Sequence, residues 1–410
     1  MEYNTEKYKQ LFQQQFSKMV AVISRQFGLQ HIEMAEDIVG DTFLTAIEEW
    51  KIKGLPPNPE AWLYTVAKRK TLYLNKRGKI FDRKIIPELK QDQENYALME
   101  LDFSTGNIRD SQLQMIFAIC NPLIASEAQI GLALRILCGF SIDEIAEAFF
   151  SSKTTINKRL FRAKEKLRTE NLKMELPHQS ELDSRLDNVL HVIYLLFSEG
   201  YYSRTQNRIL RREFCLDAMR LAILLTEYEI TNSPKANALL ALMCFHASRF
   251  DARQTAKDDF ILYDEQDKNL WDEELIRRGN YYLDQSARGE EISSYHLEAK
   301  IAHWHSVKED PKEKWENILH LYNLLLIVNY SPAVALNRTY AFYRANGREA
   351  ALEEAEKLKL ESNHFYFLLL AELYGDQDPE MARKSFKNAL KLAHTATEKQ
   401  VIQSKMDRLR

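Results

Sequence analysis

The sequence predicts an all-α protein, and three observations carry that prediction. Glycine and proline, which mark turns, number only 12 and 10 among 410 residues, whereas β-rich folds need many turns. Alanine, leucine, glutamate, lysine and arginine, which favour helices, are abundant. Apolar residues recur at three- and four-residue steps over most of the chain, which is the period of a helix buried along one side.

The composition excludes several classes of protein. Hydrophobic residues make up 45% and charged residues 28% of the chain, a balance typical of a protein with a buried core rather than a disordered, collagen-like or disulfide-stapled one. No apolar run approaches the roughly 20 residues that span a bilayer, and the first residues lack the layout of a signal peptide. We therefore expect a cytoplasmic protein without a membrane partner.

The residue types that bind metals or perform catalysis are scattered. The four cysteines (Cys120, Cys138, Cys215 and Cys244) are far apart in the chain, so they are predicted to be small buried residues with reduced thiols. His303 and His305 form the closest histidine pair, and this spacing splays their rings apart on a helix. The sequence predicts no metal site, no cofactor and no enzymatic activity.

Three amphipathic helices are predicted in the first part of the chain, over residues 7–27, 32–50 and 59–76. The run from Gly54 to Pro59 breaks the pattern, and Asn58 followed by Pro59 is a typical helix start. Residues 78–110 lose periodicity, and 91–110 is predicted to be an acidic linker. Helical pattern resumes at Ser111 and continues to about residue 172.

Residues 139–168 predict two helices joined by a tight turn. Ser141 and Glu144 form a capping box at the first helix. The second helix begins near Thr154, with Ile156, Leu160 and Ala163 facing inward, and its outward side is mostly basic. This pattern is typical of a helix-turn-helix that enters the major groove of DNA. The alternative is a solvated basic helix in an ordinary bundle.

Two further segments have the composition of binding surfaces. In the helix over 59–76, basic residues alternate with Trp62, Tyr64 and Tyr73, which suits single-stranded DNA but equally suits core aromatics under a solvated basic face. In the helix over 32–50, Asp37 and Asp41 lie one turn apart and form either a solvated face or a docking surface for a basic partner.

The second half of the chain reads as helix after helix, with a boundary near 178–180 and a break at Gly200 that is either a helix C-cap or, together with Glu199, part of a regulatory region. Ala341, Ala351, Ala355 and Leu358 are matched by Ala371, Ala382, Phe386 and Ala389 about 31 residues later. Small residues at fixed points of a paired-helix unit are typical of tetratricopeptide repeats.

In order and in motifs, residues 5–172 resemble an extracytoplasmic-function (ECF) type RNA polymerase sigma factor, and the second half resembles the tetratricopeptide-like extension found in some of these proteins. The resemblance rests on Ala35–Phe43, on Asn58–Lys70 and on Leu137–Ala146 with Arg159–Leu167. It implies a sigma region 2 helical bundle (1–90), an acidic linker (91–110), a region 4 helix-turn-helix (111–175) and a C-terminal α-solenoid of helical hairpins (180–410).

The resemblance also implies partners and site residues. The partners are core RNA polymerase, promoter DNA and a protein or peptide ligand of the repeats. Contacts to the −35 element fall on Lys153, Thr154, Thr155, Asn157, Lys158, Arg159 and Arg162. Contacts to the opened −10 strand fall on Lys51, Lys53, Asn58, Trp62, Lys68, Arg69, Lys70, Asn75, Lys76 and Arg77. Contacts to the polymerase fall on Glu36, Asp37, Asp41 and Phe43.

Two other functions fit parts of the pattern. A free-standing helix-turn-helix regulator would explain residues 139–168 but not the basic helix before them, and an enzyme on a repeat scaffold would need a catalytic set that the sequence lacks. With the sigma-factor resemblance, the sequence predicts two basic DNA-binding surfaces held apart by the acidic linker.

Overall fold

The protein is described by a computed structural model that covers residues 2–85, 101–149, 151–202, 211–253, 261, 263–393 and 396–409, with the backbone alone for 2–6, 75–85, 202 and 396–397. Over these ranges the regular secondary structure is helical and includes no β-strand, which confirms the all-α prediction. The chain divides into two compact units, residues 1–196 and 197–410.

The described residues of the first unit form a series of helices along the chain. A π-helical segment, Ala133–Leu137, directly continues the fifth helix. The helices are α1 (Glu2–Phe27), α2 (Ile32–Lys53), α3 (Pro59–Ile85), α4 (Thr105–Ile119), α5 (Ser126–Leu132), α6 (Ile142–Ala148), α7 (Lys153–Thr169) and α8 (Gln179–Tyr202), the last of which crosses the division between the units.

The core of the first unit forms along α1, which packs against both α2 and α4. Its buried side carries Phe16, Met19, Val20 and Ile23, as the apolar period predicts. The ring of Phe12 lies edge-on to Phe43 of α2, with 4.8 Å between their centroids. Because α4 follows the predicted linker, α1 joins the two predicted DNA-binding regions in one unit. Helix α1 thus packs against helices on both sides of residues 86–100, and the separation of the two regions by a linker stays a prediction.

The predicted linker, residues 91–110, is shorter than expected at its C-terminal end, and α3 before it is longer than the predicted helix over 59–76. Helix α3 is described as far as Ile85. Residues 86–100 lie outside the described residues. Helix α4 begins at Thr105 rather than Ser111, because the Ser104 hydroxyl accepts the backbone N–H of Asn107 and caps it.

The first unit extends beyond the predicted boundary at 178–180. Arg185 of α8 donates to the carbonyl oxygen of Phe117 at 2.7 Å, and Asn188 donates to that of Cys120. These bonds satisfy carbonyl groups at the end of α4, which would otherwise lack partners. The first part of α8 therefore belongs to the first unit, which ends at Leu196.

The second unit is a succession of helices in which neighbours in sequence pack together. Three of them begin with a capping Ser or Asp followed by proline, at Ser233, Ser331 and Asp378. Its helices after α8 are α9 (Arg212–Thr226), α10 (Pro234–Ala247), α11 (Glu273–Ser286), α12 (Ser294–Ser306), α13 (Lys312–Val328), α14 (Pro332–Asn346), α15 (Arg348–Leu358), α16 (His364–Tyr374), α17 (Pro379–Leu392) and α18 (Ala396–Asp407).

The repeated small residues lie where helices meet. Ala351 and Ala355 of α15 are fully buried against α14 and α16, and Ala382 and Ala389 of α17 are equally buried. A small side chain at such a point lets two helices approach closely. Within the described ranges, no helix combines the length and the apolar character that crossing a membrane requires.

Candidate nucleic-acid interface

The pair α6 and α7 is built as the sequence predicts. The Ser141 hydroxyl accepts the N–H of Glu144, whose carboxylate accepts the N–H of Ser141 at 2.8 Å, so the capping box is present. Ser152 caps α7, which begins at Lys153. The inward residues Ile156 and Leu160 are buried against the rest of the unit, and this fixes which side of α7 faces the solvent.

The solvent side of α7 carries the predicted major-groove residues. All are exposed except Arg159, which is partly covered and pairs with Glu127 at 3.2 Å. Lys153 pairs with Asp143 of α6 at 2.5 Å. The exposed members are Lys153, Thr154, Thr155, Asn157, Lys158 and Arg162. In the described part of the chain, Lys158 and Arg162 have no acidic partner, so their charges are available to a phosphate or a base edge.

An aromatic side chain that the sequence did not single out completes this surface. Phe161 is 59% exposed and borders the same shallow depression as Asn157, Lys158 and Arg162. We call these four residues the α7 face. The sequence indicates this position of Phe161 only through spacing: Phe161 follows Asn157 by four residues and therefore lies on the same side of the helix. An exposed phenyl ring can contact the methyl group of thymine.

A second group of predicted DNA contacts lies at the end of α2 and along α3. Lys51 and Lys53 are exposed, and Lys53 pairs with Glu49 at 3.0 Å. The Asn58 side chain accepts the N–H of Ala61 at 3.0 Å, which makes it the N-cap of α3. Arg69 is exposed, whereas Lys68 and Lys70 are half-buried. The side chains of Asn75, Lys76 and Arg77 lie outside the described residues.

The aromatic residues of α3 serve mainly the fold. The ring of Trp62 packs edge-on against buried Trp50, with 5.1 Å between centroids. Tyr64 stacks on Phe103 and donates its hydroxyl to Gln15 at 2.7 Å, and burial raises its pKa to about 12. The core interpretation therefore fits these two side chains, while the Tyr73 side chain is 61% exposed.

The predicted polymerase contacts on α2 separate into two sets. Asp37 and Asp41 are exposed as expected, but Glu36 and Phe43 are only 7% and 6% exposed. Glu36 binds Arg135 and Lys164, and Phe43 packs on Phe12. Helix α2 turns these two residues toward the interior, and their contact with polymerase stays a prediction.

Large apolar side chains lie exposed next to the two aspartates. Leu44, Ile47 and Ile52 are 61%, 45% and 86% exposed, which is unusual for such residues in one helix. We call Asp37, Asp41, Leu44, Ile47 and Ile52 the α2 face. Its combination of carboxylates and apolar groups is typical of a surface that binds a partner with basic and apolar residues.

Comparison with known proteins shows the family but not its activity. The chain is 31% identical to an uncharacterized protein of Rhizobium meliloti (strain 1021) over 391 residues, which are 93% of this chain and 91% of the relative. The two proteins belong to one family. Residues 185–287 also match a family of unknown function, DUF6596. No solved structure matches the chain.

The segment that matches DUF6596 contains Gly200, whose role differs from the predicted C-cap. Gly200 lies inside α8, which continues to Tyr202, and its carbonyl oxygen accepts the N–H of Arg211 at 2.7 Å. A Cβ atom there would come within 2.9 Å of Arg211 O and 2.8 Å of the Cys215 sulfur. The position requires glycine because α9 crosses α8 at this point. Its neighbour Glu199 is half-buried.

The remaining candidates from the sequence are part of the packed interior. The four cysteines are free and buried, as predicted, and burial raises the pKa of Cys120 and Cys244 to about 12. His303 Nδ1 donates a hydrogen bond to Oδ1 of Asn280 at 2.8 Å. The described residues include no cluster of histidine, cysteine and acidic side chains suited to a metal ion.

His305 makes the stability of the second unit depend on pH. Burial, with Arg249, Lys314 and Arg344 nearby, lowers its pKa to about 3, against about 6.5 in an unfolded chain. Between these values the unfolded state binds more protons, so stability falls as the pH drops below 6.5. We expect His305→Phe to reduce the loss of unfolding free energy between pH 7 and pH 5 by at most about 1.4 kcal/mol per pH unit.

Urea unfolding at several pH values checks this expectation, with His320→Phe as the control because His320 is exposed. Equal pH dependence in the wild type and His305→Phe would contradict it.

Proposed function

We propose that this protein is an RNA polymerase sigma factor of the ECF type, which binds core polymerase and directs initiation at specific promoters. One observation carries the proposal: a capped helix pair presents the α7 face, with two exposed basic residues, an amide and an exposed phenyl ring on one side of one helix. The protein has no catalytic role in this proposal, because the polymerase performs the chemistry in the cytoplasm, where the promoter is found.

The α7 face suits the major groove of a −35 element. An α-helix fits that groove, and residues at the start of the second helix of a helix-turn-helix reach base edges. Asn157 is suited to adenine and Phe161 to a thymine methyl group, while Lys158 and Arg162 are suited to guanine or to phosphates. Thr154 and Thr155 extend the same surface at the helix N-terminus.

Helix α3 and the loop before it are proposed to hold the opened −10 strand. Lys68, Arg69 and Lys70 bring positive charge to one stretch of α3, and exposed Tyr73 adds a stacking surface. The loop between α2 and α3 begins at Gly54, which has a φ of 78°, and ends at the Asn58 cap, while Lys51 and Lys53 lie in the last turn of α2. Such a preformed loop is suited to capture of an unstacked base.

The α2 face is the proposed docking surface for core polymerase. Its aspartates would pair with basic residues of the enzyme, and Leu44 and Ile52 would bury apolar area. The C-terminal hairpins are proposed to form a tetratricopeptide-like solenoid that binds a protein or peptide and controls the sigma activity. Close helix packing at Ala351 and Ala382 supports that part of the proposal.

In vitro transcription with core polymerase on a library of genomic promoters tests the proposal. We expect Lys158→Ala with Arg162→Ala to lower specific initiation at least tenfold, because each lost contact to a base or phosphate costs about 1–3 kcal/mol. The control is Lys384→Ala with Lys387→Ala, which removes two exposed charges from α17.

We call Lys158→Ala with Arg162→Ala the α7 variant. Equal initiation by the α7 variant and the control would contradict the proposal. Sequence-specific binding by the protein alone, with no effect on polymerase, would instead favour the free-standing regulator.

A further inference from the structure

Polar side chains are buried around Tyr263, in the connection between α10 and α11. The Tyr263 ring is half-buried and lies 5.0 Å from the ring of His305 and 6.2 Å from that of Trp271, centroid to centroid. The Arg249 guanidinium group lies 5.4 Å from the Tyr263 ring, and the Lys314 ammonium group donates to the Tyr263 hydroxyl at 3.2 Å. Arg249, Trp271 and Lys314 are only 7%, 3% and 1% exposed. We call these five residues the Tyr263 cluster.

Several buried polar atoms in and beside this cluster have no hydrogen-bond partner among the described residues. They are Arg249 Nε, Trp271 Nε1, His305 Nδ1 and Gln266 Oε1. Gln266 belongs to the same connection, because its backbone N–H donates to the carbonyl oxygen of Tyr263 at 3.3 Å. Buried polar atoms in folded proteins are almost always paired. Their concentration around Tyr263 therefore points to a ligand rather than to packing alone.

The cluster also carries positive charge in its interior. Arg249 donates to the Tyr201 hydroxyl at 3.4 Å and to His246 Nδ1 at 3.2 Å. Burial and the nearby arginines lower the pKa of His246 well below its usual value, so this partner is neutral. Burial lowers the pKa of Lys314 to about 8, which still leaves the amine mostly charged at neutral pH.

Two carboxylates lie at the exposed edge of the cluster. Asp264 and Asp310 both pair with Arg344, Asp264 at 3.4 Å. Asp310 also lies 3.9 Å from the Lys314 ammonium group. The two carboxylates are thus shared by Arg344 and Lys314, whereas Arg249 has only neutral partners in the part of the chain that the structure describes.

We propose that the Tyr263 cluster binds a small molecule that carries a phosphate or carboxylate group. A buried cation without an anion is costly to the fold, and an oxyanion would offset the charge of Arg249 while accepting N–H groups of Arg249 and Trp271. The planar guanidinium group matches the geometry of phosphate and carboxylate. Buried water would satisfy the N–H groups but not the charge.

The burial of Arg249 and Trp271 favours a small free molecule over a nucleic acid, and the half-buried Tyr263 brings the cluster to the surface. The site lies in the second unit and is independent of the proposed binding to DNA and polymerase.

The melting temperature of the full-length chain, titrated with inorganic phosphate or with acetate, tests the site. Sodium chloride keeps the ionic strength constant, since phosphate also stabilises proteins without a site. We expect a saturable rise with at least one anion, because a ligand that binds only the folded state stabilises it. A rise with phosphate alone would assign a phosphorylated ligand, and a rise with acetate alone a carboxylate.

Arg249→Gln should weaken the saturable binding at least about tenfold, because it removes a charge-assisted hydrogen bond. Trp271→Phe removes one N–H group and keeps an aromatic ring, so it should weaken binding by a smaller factor. Arg277→Gln is the matched control and should bind as the wild type, since Arg277 is exposed on α11 and pairs with Glu274 of the same helix.

Three results would overturn the site. The first is a wild type whose melting temperature shows no saturable response to either anion. The second is a folded Arg249→Gln variant that binds as tightly as the wild type or, where this variant does not fold, a Trp271→Phe variant that does so. The third is an equal loss of binding in Arg277→Gln.

Discussion

Gly200→Ala is expected to lower the free energy of unfolding of the second unit by about 1–3 kcal/mol, the cost typical of an added group in a packed interior. The new Cβ atom would lie 2.9 Å from a backbone oxygen and 2.9 Å from the Cβ of Phe214. Neither the Arg211 oxygen nor the Phe214 Cβ atom can move away without a shift of α9. For a unit of this size, such a loss lowers the melting temperature by roughly 2–4 °C per kcal/mol.

Gly40→Ala is the matched control, because Gly40 lies within α2 and nothing is within 4 Å of its future Cβ. Alanine should there raise stability by about 0.5–1 kcal/mol through helix propensity. Calorimetry of both variants tests whether Gly200→Ala lowers the free energy of unfolding while Gly40→Ala raises it. Equal effects would show that α9 does not cross α8 as closely as described.

Asp41→Lys with Leu44→Asp is expected to weaken binding of core polymerase more than a hundredfold. The change reverses one charge and places another in an apolar contact, so both features of the α2 face oppose the partner. Both side chains are exposed, and the fold should therefore persist. The measurement is co-purification of core polymerase with the tagged full-length protein.

The control for this pair is Ile327→Asp with Glu353→Lys, which makes the same kinds of change at exposed positions of the second unit. Retention of polymerase by the α2 variant, or equal loss in the control, would contradict docking at the α2 face.

Local signals in the sequence predicted local structure well. Asn58 before Pro59, and Ser141 with Glu144, specify helix starts through their own hydrogen bonds, and the structure confirms both. The inward side of α7 followed from the apolar period. Helix α3 extends beyond residue 76, where the sequence predicts its end. The residues after 76 are polar, as in a linker, but polar residues do not by themselves end a helix.

Contacts between distant segments could not be read from one sequence. The partners of Glu36 lie 99 and 128 residues away, and nothing in its own neighbourhood distinguishes it from exposed Asp37. Glycine is common at helix ends, so the sequence alone does not show that Gly200 lies inside α8, where Arg211 and Cys215 approach it. Phe161 was overlooked since aromatic residues usually lie inside, and only packing of α7 shows which side is exposed.

Run-off transcription with purified core polymerase tests the central claim most directly. With the full-length wild-type chain, we expect transcripts that start at defined positions on a subset of genomic promoters, absent with core polymerase alone and reduced in the α7 variant. Transcripts no more specific than those of core polymerase alone would contradict the claim.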